Sequence, residues 1–520
     1  LWLSWQDDVS LSSNEGQTIV AGPGARVALR PLAPEILAAF ERLTPPGEEE
    51  ERLAESILAA GTVDSLARWH YHVNQLRQRG FIRRSLYADG KPLATLCTLC
   101  RTFPLSRDDS TQGPFPAKNR QSDGNGRRGP SDAATAAYVL SRFAYFRREG
   151  DKLVLESPLA HARVVLEDSR GMSILGTLAV PTTELELADR AGGLAPADAR
   201  AFLALLREAR LVEQVDAKAP LGAHQSDRKN DSALDSWEFH DLLFHSRSRR
   251  GRSDGRFGGT YRLAQRPPPL ALKSNTDSAG VDLYRPDLDQ LERNDPPLAR
   301  VQERRRSIRR YGAVPITARQ LGEFLFRVCR VREQWRSEAH TPSGPIDMDF
   351  TSRPYPAGGG LHELEFYAAV QSCTGIEPGL YHYQPEQHRL VKVSGPSSVS
   401  GPANFSGPAN FSGPGSDHAA LLDDAALSAG IAADTLQVLI IVTARFERIA
   451  WKYESIAYSL ILKDVGVVYQ TMYLAATAME LAPCALGCGD SDLFARAAKT
   501  DYFAETSVGE FLLGSIAVPT

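Results

Sequence analysis

Apolar positions in this chain repeat with two different periods, and the switch between them marks out its elements. Residues 66–86 (LARWHYHVNQLRQRGFIRRSL) and 198–215 (DARAFLALLREARLVEQV) carry apolar side chains at helical spacing. Each run ends in Leu-Arg, and an apolar pair follows four residues later: Phe81-Ile82 in one, Leu211-Val212 in the other. Alternating segments near Val27 and from His161 (HARVVLED) predict strands ahead of each helix. Helix, then strand, is the pattern of a winged-helix unit, and it occurs twice. Beyond residue 300 the periods interleave differently. Thr317 and Gln320 form a capping box for a helix through Val331. ELEFYAAVQ from Glu363 alternates as a strand, and GLYHY and RLVKV make a hairpin across PEQH. Leu436–Ala444 reads as a buried strand, Ser455–Leu481 as a long apolar helix, and EFLLGSIAV from Glu510 as a final strand. That succession is α+β rather than a run of βαβ units.

Two stretches interrupt the globular texture. Residues 106–132 are polar, rich in Gly and Pro, and too poor in aliphatics to offset the entropy of ordering. Residues 394–416 repeat SGPANF and read as an expanded surface loop. The expected organisation is therefore a first winged-helix-like unit over 1–105, a linker over 106–135, a second unit over 136–220, and an α+β domain over 221–520. Residues 1–220 hold 27 Lys plus Arg against 28 Asp plus Glu, so they lack the uncompensated cations that displace counterions from a duplex. Nucleic acid is not an expected partner, and what remains for the two units is peptide binding or structural packing. No apolar run reaches the length that spans a bilayer. Six cysteines in 520 residues are too few for a disulfide framework, which points to a cytoplasmic protein, and the lone Cys97-x-x-Cys100 lacks a partner motif for zinc. No metal site is expected.

The densest chemistry is ERRRSIRRYG, from Glu303 to Gly312, with five arginines and a serine in seven residues. Guanidinium forks and a hydroxyl suit a phosphate dianion, although such a run alone is as readily a solvated helix end. It does not stand alone. RRSIRRY, YPAGGGLHELEFY, WKYESIAYSLILKDVGVVYQTMY, LAPCALGCGDSDLF and VGEFLLG together resemble the SagB-type azoline dehydrogenases of the nitroreductase superfamily, and among them the cyanobactin oxidases. The resemblance covers most of the C-terminal half. It implies a nitroreductase-like FMN domain behind two winged-helix-like peptide-binding units. It implies oxidation of thiazolines, or oxazolines, in a heterocyclised precursor peptide to the aromatic azoles, with molecular oxygen reoxidising the flavin, in a homodimer.

Residue by residue, the resemblance implies that Arg305, Arg306, Ser307 and Arg309 grip the FMN phosphate and ribityl chain. Gly358, Gly359 and Gly360 would let backbone approach the flavin from the partner subunit, and Leu486 and Gly487 would offer backbone N–H groups at its edge. Lys452 and Tyr453 match the Lys-Tyr pair that azoline dehydrogenases carry and ordinary nitroreductases lack. Aromatisation removes a proton from the α-carbon as well as a hydride, and the proton needs a base. A Tyr with its pKa lowered by a neighbouring ammonium, or a desolvated Lys, could supply it. Two other readings stay open: an NAD(P)H-dependent nitroreductase or flavin reductase, and a peptide-binding scaffold without catalysis.

Overall fold

The computed structural model describes residues 1–14, 17–22, 25–29, 31–99, 136–190, 193–216, 233–253, 255–273, 280–393 and 417–517. The expected linker, Cys100 and the SGPANF repeat lie outside the described residues. Two compact units emerge, Leu1–Gly255 and Arg256–Thr520.

In the first unit the winged-helix pattern is present twice. Helix Pro34–Glu41, the short strand Glu48–Glu49, helices Glu50–Ala60 and Val63–Gln78, and strands Ile82–Ala88 and Lys91–Thr98 form the first copy. Helix Arg170–Thr177, strand Thr182–Thr183, helices Glu184–Asp189 and Pro196–Glu208 and strand Val212–Asp216 form the second. Thr62 caps its helix through the Ser65 N–H and Thr183 through that of Glu186, so each copy starts a helix with the same device. The copies are not independent. Strand Lys91–Thr98 pairs antiparallel with Ala162–Leu166, the strand that leads into the second copy, within one seven-stranded sheet. Left alone, Lys91–Thr98 would present an open ladder edge, and the second copy covers it. Leu86, Leu93 and Leu96 accordingly share a core with Phe202, Leu203 and Leu206.

Helix Phe239–Arg247, which the sequence reading assigns to the C-terminal domain, packs within the first unit. Arg247 Nη2 donates to Glu156 Oε2 at 2.9 Å, and Arg252 Nη1 donates to the Leu159 carbonyl at 2.7 Å. Glu156 is buried, and two further arginines, Arg147 and Arg163, stand against it, so Arg247 at the end of this helix joins them in neutralising a carboxylate.

The second unit is built on a seven-stranded antiparallel sheet. Its order is Gly280–Asp282, Arg389–Lys392, Gly379–Gln384, Leu364–Val370, Val438–Arg445, Glu505–Ser515 and Leu481–Ala485. Alternate residues of the central strands face opposite sides. Phe366, Ala368, Ile440 and Val442 pack under helices Ala318–Cys329 and Ala457–Ala478. Tyr367, Ala369, Leu439 and Ile441 pack under Asp417–Ala429 and Ser491–Ala498. Helices on both faces explain why these strands are buried along nearly their whole length. The capping box at Thr317 forms as expected, with Gln320 N–H donating to Thr317 Oγ1 at 3.2 Å. One element was not anticipated: a long two-stranded ribbon, Glu333–Thr341 with Gly344–Ser352, largely exposed along its first strand. Among the described residues no helix is long and apolar enough to cross a membrane, and no group of three or more His, Cys, Asp or Glu could hold a metal ion.

Candidate functional site

The expected site residues gather at two places along the helix Ala457–Ala478. At one, the basic segment lies along the edge strand Leu481–Ala485, where Ile308 N–H donates to the Pro483 carbonyl at 2.8 Å. Tyr473, from the long helix, organises this end. Its hydroxyl meets Ser307 Oγ at 2.7 Å and accepts from the Ala485 N–H at 2.9 Å. The Arg305 guanidinium carbon stands 5.2 Å from the centre of the Tyr473 ring. Arg305, Arg306 and Arg309 are exposed, and among the described residues no carboxylate forms an ion pair with any of them. Three cations left without a counter-ion, beside a serine hydroxyl, are a fit for the phosphate of FMN.

Gly487 borders this end, and a Cβ there would meet open space. Leu486 departs from expectation. Its N–H donates to the Glu510 carbonyl at 2.9 Å, extending the ladder of the neighbouring strands, so it is not available to a flavin edge. Cys484 is fully buried, and burial raises its thiol pKa.

At the other end, Gly358, Gly359 and Gly360 form a tight turn in which Gly359 and Gly360 have φ of +64° and +70°. Gly358 N–H donates to Asp464 Oδ2 of the long helix at 2.9 Å. A Cβ on Gly359 would sit 2.4 Å from the Tyr453 hydroxyl and 2.9 Å from Lys452 Nζ. The glycines and the Lys-Tyr pair, distant in sequence, therefore occupy one place. Gly359 lacks a side chain because Tyr453 and Lys452 fill the space. At Gly360 that space is open, so only there could a ligand approach unhindered.

The Lys-Tyr pair is held by residues that no motif announced. Tyr453–Glu454 pairs with Gly258–Gly259, and Tyr261 N–H donates to the Lys452 carbonyl at 3.0 Å. Lys452 Nζ lies 5.3 Å from the Tyr453 ring centre and 6.0 Å from that of Tyr261. Tyr261, His362 and Ser455 all adopt positive φ here, at 52°, 48° and 59°. Such backbone persists only where surroundings over-determine it, and it clusters at functional sites. Behind the turn, Glu363 is fully buried beside Asp464, and burial together with the Asp464 charge pushes its carboxyl up to about 8.

Burial sets the two candidate bases apart. It lowers the Lys452 pKa, because the charged ammonium loses hydration. It raises that of Tyr453, with Tyr261 and Asp464 adding to the effect. The expectation of a phenol made acidic by its neighbour is thus reversed. Burial dominates Tyr453, and the ammonium is itself disfavoured.

The two ends are separated along the helix. From Asp464 to Tyr473 is nine residues, or roughly 14 Å at 1.5 Å per residue.

Comparisons with known proteins give the same division of the chain. A model described as the ThcOx helix turn helix domain matches residues 1–106, that of the cyanobactin oxidase ThcOx matches 138–254, and the nitroreductase family model matches 303–517. A putative nitroreductase of Methanocaldococcus jannaschii, MJ1384, is 26% identical over 207 residues, covering 40% of this chain and 84% of its own. The trifolitoxin-processing protein TfxB of Rhizobium leguminosarum bv. trifolii is 28% identical over 128 residues, 24% of this chain and 30% of that protein. Among solved structures, a chain of the E. coli microcin synthetase McbBCD complex with truncated pro-MccB17 bound shows 18% identity and a TM-score of 0.32, over 53% of this chain and 91% of that one. Two cyanobactin-oxidase models in front and the nitroreductase family model behind thus follow one another along the chain, in order and without overlap.

Proposed function

We propose that this oxidoreductase is an FMN-dependent azoline oxidase that aromatises thiazolines, and by the same chemistry oxazolines, in a ribosomally made precursor peptide. The observation that carries the reading is the half-buried Lys452 amine, set with Tyr453 against the Gly358–Gly360 turn. Azoline to azole is loss of one proton and one hydride. FMN, when bound, would supply the acceptor for the hydride, with molecular oxygen as the final electron acceptor. Lys452, favoured in its neutral form by burial, takes the α-proton. Tyr453 keeps its own proton and serves as a donor to the heterocycle. Arg305, Arg306, Ser307 and Arg309 hold the phosphate. The test is an absorbance spectrum of the purified protein for a flavin band, then mass analysis of a thiazoline peptide incubated with it in air. Loss of two hydrogens per ring is the expected result. A spectrum with flavin but turnover only on nitroaromatics with NAD(P)H would replace this reading by that of a reductase.

The separation of the two ends along one helix calls for a second subunit. The helix leaves Leu462 and Val467 exposed beside Gly466 on an outer face. A homodimer packed on that face would bring the phosphate end of one subunit toward the Lys-Tyr end of its partner. Val467→Glu is expected to give monomers in light scattering and to lose FMN at the same time. A monomeric variant that kept flavin would sink the shared site.

Peptide recognition is assigned to the first unit. Strand Ser10–Asn14 is the edge of a three-stranded sheet, and beside it lies a cavity of about 350 Å³ lined by Trp5, Val9, Leu11, Leu37 and Glu41. An open strand edge beside a cavity of mixed polar and apolar lining suits an extended peptide, with backbone hydrogen bonds for affinity and pockets for side chains. Leu11→Asp with Leu37→Asp should raise KM for a full-length precursor by about tenfold or more, since each lost apolar contact is worth roughly 1–3 kcal/mol. Turnover of a short thiazoline peptide should hold. Equal losses on both substrates would place recognition elsewhere.

A further inference from the structure

Glu363 and Asp464 have no part in the chemistry above, yet they lie directly behind it. Glu363 is 0% exposed and Asp464 7%. Neither oxygen of Glu363 has a well-formed hydrogen bond from another residue's N–H or hydroxyl; beyond its own backbone N–H, its neighbour is the Asp464 carboxyl. Two carboxyls can share such a place only if one of them keeps a proton, because like charges at contact in a dry interior are prohibitive. Arg448, whose charge acts on Glu363, does not neutralise the pair by hydrogen bonding. Its Nε donates to the Leu361 carbonyl at 2.9 Å, Nη2 to that of Asp349 at 2.6 Å, and Nη1 to that of Pro269. Asp464 has one further bond, and it runs toward the site: Oδ2 accepts from Gly358 N–H at 2.9 Å. The next residue, Gly359, is the one whose absent Cβ leaves room for the Tyr453 hydroxyl and Lys452 Nζ.

We propose that Glu363 and Asp464 are the positioning pair of the Lys452–Tyr453 site: one proton shared between the carboxyls holds Asp464 on Gly358, and that clamp sets the glycine turn against which amine and hydroxyl rest. The catalytic consequence rests on the Lys452 reading above, whereas the clamp does not. The other groups that face the pair are Arg448 on helix Phe446–Ala450, Lys463 beside Asp464, Tyr355 ahead of the turn, and Tyr453 itself. Burial raises both tyrosines, so they stay neutral as the pair titrates, and burial lowers Arg448 to about 10, above the titration of the pair. Loss of the shared proton on the alkaline side puts a second negative charge behind the turn. That charge loosens the clamp and raises the pKa of Lys452, opposing the neutral amine.

The test uses the flavin-loaded protein and two readouts that need no substrate. Glu363→Gln keeps a donor for Asp464 but cannot ionise. In the first readout, Lys452 is labelled with acetic anhydride across pH 6 to 10 in competition with the exposed Lys91, and the products are quantified by mass spectrometry. The parent should show a broadened Lys452 titration. Glu363→Gln should show a simple one, with an apparent pKa lower by about one unit and hence about tenfold more neutral amine near pH 9. In the second, urea unfolding is followed at pH 5 and pH 9. A carboxyl raised to about 8 keeps in the native state a proton that the unfolded chain has lost, so the parent weakens as pH rises from the ordinary carboxylate range toward 8. Glu363→Gln should match the parent at pH 5 and exceed it at pH 9. A difference that stays flat with pH means no proton is shared. A normal stability difference with an unaltered Lys452 titration means the pair stores a proton but does not position the site, and either outcome overturns the proposal. Should Glu363→Gln not fold, Asp464→Asn also removes the shared proton and must simplify the Lys452 titration in the same way. Failure of the azoline assignment would leave both readouts standing.

Discussion

Lys452→Ala is expected to abolish azoline oxidation while the protein stays yellow and dimeric. Under anaerobic conditions, bleaching of the flavin by a thiazoline peptide should slow by a factor on the order of 10²–10⁴, the share a positioned acid–base group supplies. Tyr453→Phe should also slow it, by less, because it removes a donor and leaves the base. The sign of the pH effect separates the two roles. Burial lowers Lys452, so its neutral fraction grows with pH and passes one half below the free lysine value of about 10.4. The bleaching rate should climb along a limb centred below that value. Burial raises Tyr453, so its hydroxyl remains a donor throughout this range. The limb should persist in Tyr453→Phe and vanish in Lys452→Ala. Reoxidation of the dithionite-reduced variants in air should match the parent, since that half-reaction involves no substrate proton. Parental bleaching by Lys452→Ala would end its assignment as the base. A limb lost only in Tyr453→Phe would hand the role to the phenol.

How far the sequence carries toward this site depends on the range of the forces involved. Elements set by local periodicity were legible: Leu364–Val370, the hairpin over PEQH, the capping box at Thr317 and the long helix all appear within a few residues of where spacing puts them. Pairings between distant strands were not. Nothing in KPLATLCT announces that Lys91–Thr98 will pair with Ala162–Leu166, so two units that read as separate fuse through one sheet. Residues that carry the site by motif, RRSIR, GGG and KY, could be named, but their mutual placement could not. Gly359 reads as room for a ligand, and it is room for Tyr453 and Lys452. Leu486 reads as a free N–H, and the sheet edge uses it. Tyr473, Tyr261, Asp464 and Glu363 stayed invisible because each acts through a partner far along the chain. Glu363 in particular sits in HELE like a solvent-facing polar residue. Only the fold shows that its neighbour is another carboxyl.

The cofactor assignment makes the second large prediction. On the proposed assignment of the basic segment as phosphate anchor, Arg305→Ala with Arg309→Ala should release FMN. Arginines engaged in structural ion pairs, such as Arg327 between Asp295 and Glu323, would cost stability when removed. Arg305 and Arg309 are exposed, and among the described residues neither has a carboxylate partner. Their removal should therefore leave the unfolding midpoint of the flavin-free protein close to the parent's. A charge-assisted hydrogen bond is worth roughly 1.5–3 kcal/mol, so two together amount to about 3–6 kcal/mol, or about 10²–10⁴-fold in the Kd for FMN. Titration of flavin-free protein, read by quenching of flavin fluorescence, gives this number directly. Riboflavin, which lacks the phosphate, supplies the control. It should bind parent and double variant alike, because the interaction removed is with a group it does not carry. Ser307→Ala should cost less than either arginine, since its hydroxyl is already engaged with Tyr473. If the double variant bound FMN as tightly as the parent while riboflavin bound weakly to both, the phosphate would have to be held by other groups. The exposed arginines would then be a solvated face and nothing more.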